Sequence, residues 1–567
     1  MYKGIAGSDG VGIGEVVIIK EPELKYERAS ALTVEKELER FNKAIEELVE
    51  KTNAMSEEVR KSAGEAEAEI LLGHVMIMSD PALSDEVRSL ISDGLTAEAA
   101  AEQVLDMFAA IYEGTGDELT MQRATDIRDV KTRLIKALLG AEDVDISALK
   151  KGSVIVVHDL TPSMTAGIVK ENIEGIITET GGKTSHSAIL ARALEIPAVL
   201  SIDNITELLK NGQSVIVDGI GGEVIPDPDD KCISEYRAKR EEHIKHKREL
   251  LKLIGCETHT ADGIHAELVC NIGKPADCKD VLERDGEGVG LFRTEFLYMD
   301  TDRLPTEDQQ FEAYRAAAAA MDGKPVIIRT LDVGGDKEIP YLGLEKEDNP
   351  FLGYRAVRYC LKNPELYRAQ LRALIRASAF GNIKIMAPLV TCVDEIRAVK
   401  ALVKELMAEL ESEGIDFDRN IEVGVMIETP AAAVIADLLA AEADFFSIGT
   451  NDLTGYTMAV DRGNHKVAYL YSVYNPAVLR SIKRVIECGV DAGIMVGMCG
   501  EAASDPLLIP LLISFGLNEY SVSPTSVLAT RAEILKWSKS EADKVAEEAL
   551  SCTTESEVKD VLSKYKK

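Results

Sequence analysis

His186 lies behind two glycines and a lysine and ahead of an amphipathic run, in the stretch GGKTSHSAILARALEIPAVL. Apolar residues at Ile189, Leu190, Ala193, Leu194 and Ile196 recur near helical spacing, Thr184 or Ser185 can cap the start, and Pro197 stops the pattern. His186 therefore falls at a helix start, where unpartnered N–H groups and the partial positive charge of the helix stabilise an anion brought against them. A capping or surface histidine would occupy the same position, so the rest of the chain has to decide.

A second set of reactive types lies at the ends of apolar runs further along. Arg293 follows GVGLF, Arg329 follows PVII, Glu428 follows GVMI, Asn451 and Asp452 follow FFSIGT, Cys499 follows IMVGM, and Arg462 comes shortly after Asp452 in AVDRGN. Arginines converging on one mouth suit a small, multiply charged anion, because guanidinium offers paired donors that stay charged. Two carboxylates beside them would repel that anion unless a cation sat between, and oxygen ligands favour magnesium or manganese over zinc. Cys499 is a poor ligand for so hard a metal and reads as a proton donor or a buried thiol. Taken singly, each arginine reads as readily as a structural ion pair; the recurrence at consecutive strand ends is what argues for a site.

The elements that must hold these residues are legible in outline. Residues 3–20 form short, glycine-punctuated strands. From Val34 through Leu38, Phe41, Ile45 and Leu48 the apolar spacing alternates four and three, and helical patterns continue to about residue 145, giving a helical bundle. SVIVVHDL, EGIITE and SVIVDG then read as β-branched strands of an α/β unit into which the bundle is inserted. The charged run SEYRAKREEHIKHKRELLKLIG follows as a linker helix. Beyond residue 260, AELVCNIG, GVGLF, KPVIIRTLD, IKIMAPLV, EVGVMIETP, DFFSIGTND, GIMVGMCGE and EYSVSP supply the strands of a (β/α)8 TIM barrel, whose active sites lie at the C-terminal strand ends.

The expected organisation is multidomain: an α/β domain at 1–25 plus 146–228, an inserted bundle at 26–145, a linker helix at 229–258 and a barrel at 259–567. With 567 residues and 46% hydrophobic content the chain can fill several cores. The net charge of −33 argues against nucleic acid and requires any anionic substrate to be held by a local arginine cluster. No stretch is long and apolar enough for membrane insertion, the first twenty residues lack the apolar core of a signal peptide, and nine cysteines without CxxC pairs fit a reducing compartment. A cytoplasmic protein is expected.

Together these motifs resemble enzyme I of the bacterial sugar phosphotransferase system. GGKTSHSAILAR resembles its phosphohistidine motif, and GLFRTEFLYMD, IRTLDVGGDK, NPFLGYRAVR, VGVMIETPAA, SIGTNDLTGYTMAVDRGN and GMCGEAASD resemble its phosphoenolpyruvate-site motifs in their usual order. Lys183 departs from the family, which commonly has arginine there. The resemblance implies phosphoenolpyruvate-dependent phosphorylation of His186, with Thr165 fixing its ring. It also implies substrate binding by Arg293, Arg329, Asn451, Asp452 and Arg462, supporting roles for Lys337 and Arg355, Mg2+ held by Glu428 and Asp452, and protonation of the product enolate by Cys499. It implies as partners the phosphocarrier protein HPr, docked on the bundle, and a second copy of the chain, docked through the barrel, with the histidine domain swinging about the linker helix. A pyruvate phosphate dikinase or phosphoenolpyruvate synthase would share the histidine and barrel motifs but needs an ATP-binding domain; a non-catalytic regulatory paralogue would be expected to have lost one of these residues.

Overall fold

The computed structural model describes residues 1–19, 24–62, 65–113, 118–141, 146–161, 164, 168–182, 185–299, 301, 303–334, 339–461, 464 and 466–567. The chain divides into two compact units, Met1–Lys247 and Arg248–Lys567.

The first unit carries an eight-stranded mixed sheet, β1 (Tyr2–Lys3), β2 (Ile5–Ser8), β3 (Val11–Ile19), β4 (Ser153–Val157), β5 (Ile173–Thr178), β6 (Ala198–Leu200), β7 (Ser214–Asp218) and β8 (Glu223–Pro226), in the order β1-β8-β7-β3-β4-β5-β6-β2. A single residue, Gly4, separates β1 on one edge from β2 on the other, so the first eight residues close both edges and curl the sheet. The central strands are buried on both faces and therefore read as continuous apolar runs rather than alternating ones. Ile155 and Val157 pack with Ala188 and Leu190 on one side, while Val154 and Val156 pack with Ile205 and Leu209 on the other.

Between β3 and β4 lies the expected bundle: α1 (Val34–Ser62), α2 (Glu65–Met78), α3 (Pro81–Ser92), α4 (Ala97–Glu113) and α5 (Glu118–Leu139). Phe41, Leu48, Leu83, Val87, Val104 and Leu134 belong to its core, whereas Val34, the first residue of the expected stripe, is exposed. After β5 comes α6 (His186–Ala193), capped by Ser185, whose side chain accepts from the Ala188 N–H. This helix is shorter than the apolar spacing suggests. Leu194 and Ile196 are buried beyond its end, and Ile189 is exposed. The short strands β6 and β8 were not separable from their surroundings in the sequence. A short helix α7 (Ile205–Leu208) precedes β7, and α8 (Asp230–Leu251) follows β8 with no buried residue of its own. Its ion pairs Lys239–Asp218, Arg240–Glu174 and Lys247–Glu195 tie it to the sheet and its loops.

The second unit is a closed, all-parallel barrel of β9 (Glu267–Ile272), β10 (Val289–Arg293), β11 (Val326–Arg329), β12 (Ile383–Ala387), β13 (Val423–Ile427), β14 (Phe445–Ile448), β15 (Met495–Met498) and β16 (Glu519–Val522). All eight expected strands are present. Leu291, Ile327, Met386, Met426, Phe445 and Cys499 form an interior cluster, so the barrel is filled rather than hollow. Among the described residues no helix is long and apolar enough to cross a membrane.

Candidate active site

The register of the barrel sets the candidate residues side by side. Arg293 and Arg329 are paired partners at the last positions of β10 and β11. Ile427 pairs with Ile448, and Ile448 with Met498, which brings Glu428, Gly449 and Cys499 level with one another just past the strand ends.

Local sequence fixes each turn. After Glu428, Thr429 accepts from the Ala432 N–H and Pro430 occupies the first helical turn, so a helix starts immediately beyond the strand and leaves Glu428 at the junction. The neighbouring turn needs glycine: a Cβ on Gly449 would lie 2.9 Å from Glu428 Oε2. A Cβ on Gly500, next to Cys499, would lie 1.7 Å from Thr450 Oγ1. Asn451 and Asp452 open the helix Thr450–Met458. Three non-glycine residues with left-handed backbone border the same loops: Ala356 after Arg355, Leu389 and Ala459. Such conformations cost of order 1–3 kcal/mol each and cluster where a site must be held in shape.

Charge at this mouth is dense and paired. Arg329 donates from Nη2 to Glu295 Oε1 at 2.8 Å and lies 2.9 Å from Asp332 Oδ2 through Nη1. Arg355 donates to Asp332 Oδ1 from Nη2 at 2.7 Å and from Nε at 3.1 Å. Glu428 is 2% exposed and accepts from the Leu389 N–H at 2.6 Å. Burial, then the neighbouring carboxylates of Asp452 and Asp332, hold its carboxyl well above the usual range, against the pull of Arg329. Two such carboxylates together suit a hard divalent cation, which commonly takes one or two protein carboxylates and fills its remaining positions with water and substrate oxygens. Among the described residues there is no cluster of three or more histidine, cysteine, aspartate or glutamate side chains able to hold a metal.

Cys499 is buried in the barrel interior, and its Sγ faces the Ile448 carbonyl at 3.7 Å. Burial pushes the thiol up to about 11, with Glu428 adding to the rise, while Ser447, Arg329 and Arg293 act in the opposite direction. It stays protonated at neutral pH. Asn271 steadies the Cys499 backbone, donating to its carbonyl and to that of Ser521, each at 3.2 Å. Asn451, Asp452, Leu389, Thr429 and Tyr456 line a cleft of about 1000 Å³ beside the mouth.

The structure thus gathers Arg293, Arg329, Glu428, Asn451, Asp452 and Cys499 at one barrel mouth and links Arg355 to them through Asp332. Thr165, Lys183, Lys337, Arg462 and the side chain of His186 lie outside the described residues; the backbone of His186 begins α6. Sequence reasoning missed Glu295, Asp332, Asn271 and Ser447. The available signal was a requirement: an arginine at a buried strand end such as Arg329 needs carboxylate partners, and Asp332 stands three residues beyond it and Glu295 just past the neighbouring strand.

Comparison with known proteins covers both units. Models of the PEP-utilising enzymes match along the chain: the N-terminal domain at residues 3–123, the mobile domain at 149–222 and the PEP-binding domain at 247–539. The phosphoenolpyruvate-protein phosphotransferase of Staphylococcus carnosus is 46% identical over 566 residues, covering 100% of this chain and 99% of its own length. That of Bacillus subtilis is 48% identical over 557 residues, 98% of each chain. An Enzyme I protein (nEIt) solved by solution NMR is 39% identical, with 43% of this chain and 99% of that one covered and a TM-score of 0.39. Identity at this level along the full length, over domains of the PEP-utilising type, means that the chain belongs to the phosphoenolpyruvate-protein phosphotransferase family.

Proposed function

We propose that the chain phosphorylates its own His186 from phosphoenolpyruvate, releases pyruvate and passes the phosphoryl group to the phosphocarrier protein HPr, the first step of sugar uptake by the phosphotransferase system. The observation that carries this reading is the convergence of Arg293, Arg329, Glu428, Asp452 and Cys499 at one mouth of the barrel.

Arg293, Arg329, Asn451 and Arg462 bind the phosphate and carboxylate of the substrate, with Lys337 and Arg355 in support, because a guanidinium clamp both neutralises and orients a phosphoryl group. Glu428 and Asp452 would hold Mg2+, which when bound offsets the charge that builds on the transferring phosphate. His186 attacks through its neutral ring, turned by Thr165, and its place in the first turn of α6 favours the negative charge it then carries. Cys499, protonated at neutral pH, delivers a proton to the enolate carbon and completes pyruvate. His186 and the mouth residues belong to different units, so the histidine unit must visit the barrel and leave again, turning about the helix near 229–254.

HPr docks on the bundle, whose acidic character suits a basic patch on the carrier. A second copy of the chain is proposed to dock through the barrel, as the resemblance to enzyme I implies. The proposed reaction belongs in the cytoplasm, and nine cysteines without CxxC pairs suit its reducing conditions.

The test is incubation of the full chain with labelled phosphoenolpyruvate and Mg2+, followed by a search for acid-labile, base-stable label. His186→Ala should remove the label while leaving phosphoenolpyruvate binding in place. Undiminished labelling of that variant would sink the assignment.

A further inference from the structure

We infer that Asp332 is a positioning residue for phosphoryl transfer, holding Arg329 and Arg355 in transfer-ready orientation at the expense of ground-state anion affinity. The inference rests on the reading of those arginines as part of the phosphate clamp.

Asp332 lies three residues past the end of β11 and is 4% exposed. Its two oxygens serve two guanidinium groups from separate segments: Oδ2 lies 2.9 Å from Arg329 Nη1, while Oδ1 takes both the Nε and Nη2 hydrogens of Arg355. Further groups hold each arginine from elsewhere. Glu295 holds the Nη2 edge of Arg329. The Phe351 ring lies 5.5 Å from the Arg355 guanidinium carbon, and the Phe351 carbonyl accepts from the Tyr456 hydroxyl at 2.6 Å, on the helix that carries Asn451 and Asp452. Asp332 is the one described side chain that bridges the two arginines.

The charges show what such a bridge is for. Arg329 and Arg355 are each already engaged by a carboxylate, Glu295 and Asp332 for the first and Asp332 for the second, so their charge is offset before a phosphate arrives. A site built only to bind anions tightly would leave the arginines uncompensated. Carboxylates instead lower the pull on the bound phosphate and keep the planar donors from rotating, which favours the transition state over the ground state. Asp332 neither gives nor takes a proton in this role. A merely structural ion pair would make no such distinction between binding and turnover.

The experiment compares the full-length wild type with Asp332→Asn, Asp332→Glu and Glu295→Gln. It measures steady-state pyruvate release with Mg2+ and phosphate acceptor, and competitive inhibition by inorganic phosphate. Asp332→Asn should lower kcat by about 10- to 100-fold, as removal of an orienting partner does elsewhere. KM for phosphoenolpyruvate should hold or fall, and phosphate should inhibit more strongly. Asp332→Glu should recover part of kcat. Glu295→Gln, which removes the charge at the other edge of Arg329 but keeps an acceptor, should show the same split more weakly, and it carries the test if Asp332→Asn does not fold. An unchanged kcat, or a raised KM with weaker phosphate inhibition, would overturn the inference. A wild-type chain that phosphoenolpyruvate does not phosphorylate would overturn the functional reading instead.

Discussion

Glu428 at the C-terminal mouth of the barrel and Glu519 at its N-terminal floor are 2% and 1% exposed, and burial raises both carboxyls well above their usual range. Their surroundings separate them. Glu428 faces Asp452, Asp332 and Arg329, with the Cys499 thiol close by and a cleft alongside. Glu519 faces Glu267 and Lys384, and Lys384 is engaged with Glu422 at 2.7 Å. A perturbed carboxyl is therefore not in itself the mark of a site. It becomes one where groups of opposite charge and complementary chemistry converge on space a substrate can enter.

The largest effect that should distinguish the mouth from the floor is at Cys499. Removing a positioned general acid typically costs roughly 10² to 10⁴ in rate. Cys499→Ala should lose about that much phosphoenolpyruvate-driven pyruvate release, yet His186 should still accept phosphate from phosphorylated HPr, because in the proposed function that step needs neither the thiol nor the barrel. Measuring both in one preparation decides the matter. Full pyruvate release in the variant would return Cys499 to the role of a small core residue.

Glu428→Gln should come next. The variant keeps the shape and the acceptor for the Leu389 N–H but removes an anionic oxygen from a site with few protein ligands. Turnover should fall by on the order of 10² to 10³, as when one preorganised electrostatic group is lost, and the Mg2+ concentration needed for half-maximal rate should rise. A Mg2+ titration of pyruvate release checks this. Normal turnover at unchanged metal dependence would place Glu428 with Glu519, buried and without a chemical role.

What the sequence showed of this contrast follows from how each feature is encoded. Barrel strands such as Ile383–Ala387 and Val423–Ile427 are buried on both faces, so they appear as apolar runs, and the residue after each run is automatically a mouth residue. Hence Glu428 and Cys499 were legible. Strands β6 and β8, at three and four residues, are too short to show any period, and Leu194 and Ile196 owe their burial to tertiary packing beyond a helix that has already ended. Asp332 and Glu295 were hidden for another reason. In a chain with 97 acidic residues, an isolated carboxylate looks like solvated surface, and only the folded register shows which of them face a buried guanidinium. Glu519, in the run EYSVSP, gave no sign that it begins a strand with its side chain turned into the barrel.

The smallest expected effect tests the floor, through stability rather than rate. Burial, reinforced by Glu267, raises the Glu519 carboxyl from an ordinary 4.5 to about 8, with Lys384 opposing. The folded protein therefore holds this proton more tightly than the unfolded chain does. The sign follows: the stabilisation is fully present below about pH 4.5 and drains away as pH rises toward 8. Glu519→Gln cannot ionise, so it should escape that loss. Its melting temperature should match the wild type near pH 4 and exceed it by several degrees at pH 8, since each kcal/mol moves a large domain by about 2–4 °C. Pyruvate release should stay at the wild-type rate, because Glu519 lies at the opposite end of the barrel from the mouth residues. Thermal melts of both proteins at the two pH values provide the check. Parallel shifts would mean that Lys384 keeps Glu519 charged throughout; a large fall in turnover would mean that the floor, too, takes part in the chemistry.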